Sequence, residues 1–342
     1  MAYATEEVLA ALNATALTDP RIEEVIHEIP SDCEYVEVGR LGRLIVAAGL
    51  EEHAPYIAEL LTLGSGASLA EQLRWTDIKT IQKVDIRDGG IQSELQNFRL
   101  GDTNYPALLL SGFKVSGGSV SAAALDIAGK LGNPYAEKSE TGELVQLIQP
   151  KKSDAQLQTS ASYETPLELH VENVGQEHVP DFVVIACESN REMAETVVVS
   201  PFLAIAWMRQ HGMFREEALL RKNGFTVRAP HSFNSTQVNN EHQVLEGTVP
   251  HPVVSADFAD VMPNDQETHH AYKVFQEACN QVSEKVVLSP GDVLVIRNTG
   301  SSQYSPGCLQ AMHGRGAFTP IVDEEEGTVR TLWRVYVKHC QS

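Results

Sequence analysis

The sequence predicts a mostly β protein with flanking helices: a β-sandwich or distorted jelly-roll barrel, wrapped by helices, in a single domain. Three observations carry this expectation. From about residue 76 onward the chain is a succession of β-rich stretches of four to ten residues, bounded by Gly, Pro, Asn or Asp. These stretches show no regular alternation with helices, and no GxGxxG or GxxxxGK[ST] motif occurs, which argues against a nucleotide-binding α/β fold. No internal repeat, low-complexity tract or Pro/Gly/Ser-rich linker divides the 342 residues.

Taken in order, residues 1–75 form a helical N-terminal part and 76–342 the β core. "TEEVLAALNATAL", "PRIEEVIHEI" and "EEHAPYIAELLTLG" carry apolar residues three and four apart, with Gly64 as a helix stop. The strand candidates are "DIKTIQKVDI", "ALLLSGFKV", "ELVQLIQP", "LELHVENV", "DFVVIAC", "ETVVVSPF", "KVVLSPGDVLVIRN" and "RTLWRVYVKHC". Helices interrupt them at 119–132, ended by Gly132, at 201–224 and at 269–286. The stretch 229–256 is polar and mostly without period, as functional loops are, and 210–256 is the candidate lid insert.

Composition narrows the partners. Hydrophobic content of 42% and charged content of 21% are ordinary for a globular protein able to bury a core. A formal net charge of −20 argues against nucleic acid and anionic membrane, and is compatible with a cationic small molecule. The N-terminus lacks a basic region before its apolar residues, so no signal peptide is expected, and no apolar run reaches the roughly 18 residues of a membrane span. Five scattered cysteines without a CxxC suggest reduced thiols and a cytoplasmic location.

Chemistry concentrates at "PLELHVENV". Residues i and i+2 of a strand share a face, so His170 and Glu172 can bind one ion side by side. A half-exposed strand turning two polar residues to water fits the pair equally well. A third ligand has to come from another strand, and His313 in "LQAMHGRGAF" is the best candidate. Two histidines and one carboxylate with open positions form the facial set of non-haem Fe(II) oxygenases. His178, His231, His242, His251, His269 and His270 sit in polar stretches and read as surface residues. Arg330 and Arg334 in "RTLWRVYV" lie four apart on one strand face. Either they are surface arginines, or they are buried to hold a carboxylate bidentately, since a buried cation is costly without an anion.

The HxE pair, the distal "HGR" and the following RxxxR together resemble the Fe(II)/2-oxoglutarate-dependent oxygenases. They are most similar to the clavaminate synthase-like branch, with its free arginine, asparagine and lysine hydroxylases. "ELVQLIQP", "QTSASYETPLELHVEN", "AETVVVS" and "VVLSPGDVLVIRN" are similar to stretches of that branch, in the same order, from about residue 100 to 338. The resemblance implies a double-stranded β-helix (cupin-like) core, Fe(II), 2-oxoglutarate as cosubstrate, and O2. It implies His170, Glu172 and His313 as iron ligands. Arg334, with Arg330, would pair the distal carboxylate of 2-oxoglutarate, and Thr196 would hydrogen-bond it. Gln146 and Glu172 would meet a substrate α-amino group, and Asp257 and Asp260 of "ADFAD" its side chain.

The implied reaction is hydroxylation, desaturation or cyclisation at an unactivated C–H. The implied substrate is a free amino acid, arginine-like among them, or an amino-acid-derived natural-product intermediate. An intact Glu172 argues against halogenation. Three departures stand out: Val171 where relatives often have Thr, the insertion "TGSSQYSPGCLQ" at 299–310, and the acidic "VDEEEG". Two other classes remain open. A cupin-type metal enzyme that ignores 2-oxoglutarate would have no use for Arg330 and Arg334, and a silent binding module would lack a complete triad.

Overall fold

The computed structural model describes residues 78–101, 103–115, 119–229, 238–247, 252–300, 309–323, 327–328 and 330–339. The helices expected over 1–75 lie outside the described residues, as does most of the 299–310 insertion. In chain order the elements begin with β1 (Ile81–Asp85), α1 (Ile91–Leu100), β2 (Ala107–Ser111) and α2 (Ser119–Leu131). Then come β3 (Asn133–Tyr135), β4 (Gln146–Ile148), β5 (Leu167–His170), β6 (Phe182–Ser189) and β7 (Glu195–Val199). The helical pair α3 (Pro201–Gln210) and α4 (Phe214–Leu220) precedes β8 (Phe225–Arg228), β9 (Val238–His242), β10 (Leu245–Gly247), β11 (Pro252–Val254) and β12 (Val261–Pro263). Helix α5 (Gln266–Val282) leads to β13 (Glu284–Val287), β14 (Val293–Arg297), β15 (Met312–Arg315), β16 (Val322–Asp323), β17 (Gly327–Thr328) and β18 (Thr331–Lys338).

Two sheets face each other, as a jelly roll requires. The larger runs β1-β2-β14-β6-β18-β3, with β4 also on β18; the smaller runs β13-β7-β15-β5. Period-2 alternation assigns each side chain its layer. On β6, Phe182, Val184 and Ala186 pack outward against α1 and α2, while Val183, Ile185 and Cys187 point between the sheets. On β18, Val335 and Val337 point outward, and Leu332 and Tyr336 inward. Arg334 shares the inward parity and is buried, so the two arginines expected on one strand face are interior residues. The smaller sheet turns Leu169, Val171, Val199 and Met312 toward α3, α4 and α5, which leaves His170, Glu172, Thr196 and His313 on the inner face.

Val171 thereby finds its reason. It is buried in the helix-side core, and its N–H donates to Ala256 O at 2.8 Å. Phe258 N–H likewise donates to Leu169 O, so residues 256–258 cover the free edge of β5 and set Asp257 beside His170.

Some local expectations fail. β1 and β2 are parallel with α1 between them, a single βαβ unit at the sheet edge. Its helix was not legible because "IQSELQNFRL" is short and buries only Leu95 and Phe98. The supposedly period-free 229–256 contains β9, β10 and β11. Four of the five residues of β9 are exposed, so no apolar alternation marks it. His242 is buried rather than superficial, with a ring nitrogen 2.6 Å from Ser255 O.

Asn298, fully buried at the end of β14, ties the two sheets together. Its Oδ1 accepts from Glu172 N (2.7 Å), and its Nδ2 donates to Glu172 O (3.1 Å) and Pro180 O (2.9 Å). β5 has ended by then, and Asn173 turns the chain in the left-handed region at φ 59°, which asparagine tolerates. Gln310 continues the clamp, donating to Asn298 O and exchanging two bonds with the Val254 backbone. Asn298→Ala leaves buried backbone groups unpaired and should destabilise the fold by about 1–3 kcal/mol, measurable by urea unfolding, while also weakening divalent-metal affinity.

Candidate metal centre and its pocket

Antiparallel pairing of β15 with β5 sets His313 directly across from His170, with an irregularity in the register between His313 and Arg315. The two imidazole centroids are 4.4 Å apart. Gly314 sits at this crossing, where an added Cβ would lie 2.6 Å from Leu167 O, so only glycine lets β15 approach so closely. Glu172 completes the group: its Oε2 lies 3.7 Å from His170 Nε2 and 3.3 Å from His313 Nε2. Ligand atoms of all three residues fall within 4.8 Å of one another.

The donor set fits a divalent transition metal. His170 Nδ1 is 2.8 Å from Glu168 O, an acceptor only, so that nitrogen carries a proton and Nε2 is the atom turned to the cluster, free to ligate once it is deprotonated. Glu172 Oε1 is engaged by Arg334 Nη1 at 3.1 Å and the Tyr336 hydroxyl at 2.7 Å. Its Oε2 is buried with no hydrogen-bond partner. A buried carboxylate oxygen facing two imidazole nitrogens is a ligand atom waiting for a cation.

The electrostatics of the three groups agree with this geometry. Burial opposes charge on His170, but the Glu172 and Asp257 carboxylates prevail and raise its pKa to about 9. Burial and the neighbouring His170 charge lower that of His313. Burial works against ionised Glu172, yet Arg334 and the two imidazoles hold its pKa well below the usual carboxylate range. Without metal, a proton on His170 balances the anionic Glu172.

All but one of the residues expected at the site meet in one cavity. Thr196, Asp257, Asp260, Arg330 and Arg334 line it together with His170, Glu172 and His313, whereas Gln146 is buried outside the lining and bonded to Arg334. They divide into ends of different character. At one end Arg334 Nε donates to Gln146 Oε1 (2.7 Å), Nη1 to Glu172, and Nη2 to Glu140 Oε1. At another, Arg330 and Arg315 hold their guanidinium carbons 5.1 and 4.9 Å from the Phe318 ring centroid. No carboxylate among the described residues forms a salt bridge with either arginine, and burial lowers both pKa values to about 10. Asp257 and Asp260 form a third group. Burial raises both carboxyl pKa values, that of Asp260 to about 7 with help from the Asp257 charge.

Sequence reasoning missed four participants. Arg315 stands two residues beyond His313 and Tyr336 two beyond Arg334, so strand parity could have found both. Asn298 ends a recognised strand and could only be identified through its cross-chain bonds. Glu140 lies in the irregular "EKSETGE" and carries no periodic signal at all.

Comparison with known proteins gives a consistent picture. Residues 82–336 match the family model described as "Taurine catabolism dioxygenase TauD, TfdA family". The fold is similar to that of asparagine oxygenase in complex with Fe(II), 2S,3S-3-hydroxyasparagine and succinate. There the TM-score is 0.59 and identity 25%, over 72% of this chain and 78% of that one. It is also similar to the non-heme iron oxygenase OrfP in complex with Fe and alpha-ketoglutaric acid, with TM-score 0.60 and identity 21%, over 74% and 81% of the two chains. No helix among the described residues is long and apolar enough to cross a membrane.

Metal uptake must displace the His170 proton. Calorimetry in buffers of different ionisation enthalpy should therefore show close to one proton released per divalent ion at about pH 7.5. The release should fade as pH rises past about 9, where His170 is already neutral.

Proposed function

The chain belongs to the TauD/TfdA family of dioxygenases, and from that premise we propose that it oxidises an unactivated C–H bond of an amino acid or amino-acid derivative. It is an Fe(II)/2-oxoglutarate-dependent dioxygenase acting on a small molecule. The observation that carries the finer reading is the opening of the His170–Glu172–His313 group into a cavity with cationic and anionic walls on different sides. Bound Fe(II), with 2-oxoglutarate and O2, supplies the oxidising power, and the cosubstrate leaves as succinate and CO2.

The protein's own part is to hold, orient and exclude. His170 Nε2, Glu172 Oε2 and His313 Nε2 would hold the iron from one side, leaving the cavity side for small molecules. We assign the distal carboxylate of 2-oxoglutarate to Arg330, with Thr196 and Arg315 beside it. Support comes from its burial and from the lack of any salt bridge to a carboxylate among the described residues. Arg334, the first candidate from the sequence, already faces Glu140 and Glu172 and is less available. Gln146 and Glu172 remain the candidates for a substrate amine, and Asp257 and Asp260 for a cationic side chain. The segment 210–256 leads directly into Asp257, which makes it our candidate cover for the pocket, keeping water from the reacting carbon.

A panel of the twenty amino acids and their carboxamides, assayed for stimulated succinate release, tests this reading. At least one basic member should stimulate turnover, and stimulation by none would contradict it. Arg330→Ala should raise the KM for 2-oxoglutarate by about 10–100-fold, the scale of one charge-assisted contact, with a smaller effect on substrate KM. The reverse split would return the cosubstrate to Arg334.

A further inference from the structure

Glu140 is the cavity residue for which the reaction so far supplies no task. It projects from the loop between β3 and β4, and that loop is a built turn. Glu137 O accepts from Glu140 N (3.3 Å) and Gly142 N (2.9 Å), while the buried Glu137 carboxylate accepts from Ser139 N (3.0 Å). Gly142 closes the turn at φ +73°, a region that favours glycine. The turn aims Glu140 inward until its side chain is only 11% exposed. There Oε1 accepts from Arg334 Nη2, and Oε2 lies 3.2 Å from Gln146 Nε2 and 3.1 Å from the Tyr336 hydroxyl.

Arg334 is thus fully engaged. Its Nε faces Gln146, Nη1 faces Glu172 and Nη2 faces Glu140, and its guanidinium lies over the Tyr336 ring at 4.5 Å. A free amino acid entering this end brings an ammonium and a carboxylate on one carbon. The ammonium meets Glu140 and Glu172, both on the cavity wall, favourably. The carboxylate finds Arg334 bracketed by two carboxylates, and in a buried site that crowding is poorly screened. Masking the carboxyl as a neutral amide or thioester removes the conflict and keeps the ammonium.

Building on the reading that this cavity binds the substrate, we propose that Glu140 is a specificity-determining residue. It competes with a substrate carboxylate for Arg334, and so biases the site toward amino acids whose carboxyl group is masked. Glu140 reaches Glu172 only through Arg334 and Tyr336, so an effect of its removal on metal or cosubstrate is common to both ligands and cancels in the ratio of their affinities.

The test is equilibrium binding, read by calorimetry under anaerobic conditions on the protein loaded with Fe(II) and 2-oxoglutarate. The probes are L-arginine and L-argininamide, which share the amine and the cationic side chain and differ in carboxyl charge. In Glu140→Gln the ratio of the acid's Kd to the amide's should fall by about tenfold or more, the scale of one charge-assisted contact. Glu140→Ala should move the ratio the same way, with Tm measured for each variant to confirm folding. An unchanged or increased ratio in folded variants overturns the proposal, because a residue that merely shapes the loop would shift both ligands alike. Binding of metal and 2-oxoglutarate with no binding of either probe would instead defeat the substrate-pocket reading, and the proposal with it.

Discussion

The pairing of β15 against β5 is the constraint on which the rest depends. It brings His313 opposite His170, and Gly314 allows the approach because any side chain there would strike Leu167 O. A slip of one residue would turn His313 into the helix-side core occupied by Met312 and place a methionine at the metal position. Register is protected on both flanks. β7 pairs with the other edge of β15, setting Val198 opposite His313, and residues 256–258 cover the far edge of β5. The third ligand lies just beyond the strand, where backbone pairing no longer holds it, and the Asn298 amide takes over that work.

From this crossing follows the division of labour within Glu172. Its Oε1 is committed to Arg334 and Tyr336, so only Oε2 faces the two imidazoles. The carboxylate thereby turns a single oxygen to the two imidazoles, an orientation that would lower the cost of organising a metal centre there. The same bonds link the metal position to the cavity wall through one residue. A change at Arg334 or Glu140 can therefore be felt at the metal without touching a ligand, and the charge of whatever enters beside Arg334 matters to the whole cluster.

Much of this was legible in the sequence because period-2 alternation is a strong signal wherever both faces of a strand are buried. "LELHVENV" put His170 and Glu172 on one face, and the same parity sent Val171 to the other, where it packs in the helix-side core. "RTLWRVYV" marked Arg330 and Arg334 as a pair but left surface and interior open; both are buried, Arg334 on β18 and Arg330 just before it. Parity could not say which arginine was already engaged, because Glu140 reaches Arg334 from a loop nearly two hundred residues upstream. Hydrogen bonding rather than apolar pattern organises β9, and α1 is too short and polar to stand out, so both were invisible. Local pattern thus made the β-rich fold class and the shared face of His170 and Glu172 readable, and the family resemblance added His313, whereas the selectivity proposed for the pocket rests on contacts that no local pattern encodes.

The central claim is that His170, Glu172 and His313 hold an iron to which 2-oxoglutarate binds. Anaerobic titration of the intact protein with Fe(II) and 2-oxoglutarate tests it most directly. A weak visible metal-to-ligand charge-transfer band should appear and saturate at one equivalent of iron, and it should be absent from folded His170→Ala. Failure of the band to form with the intact protein, or its persistence in that variant, would contradict the account.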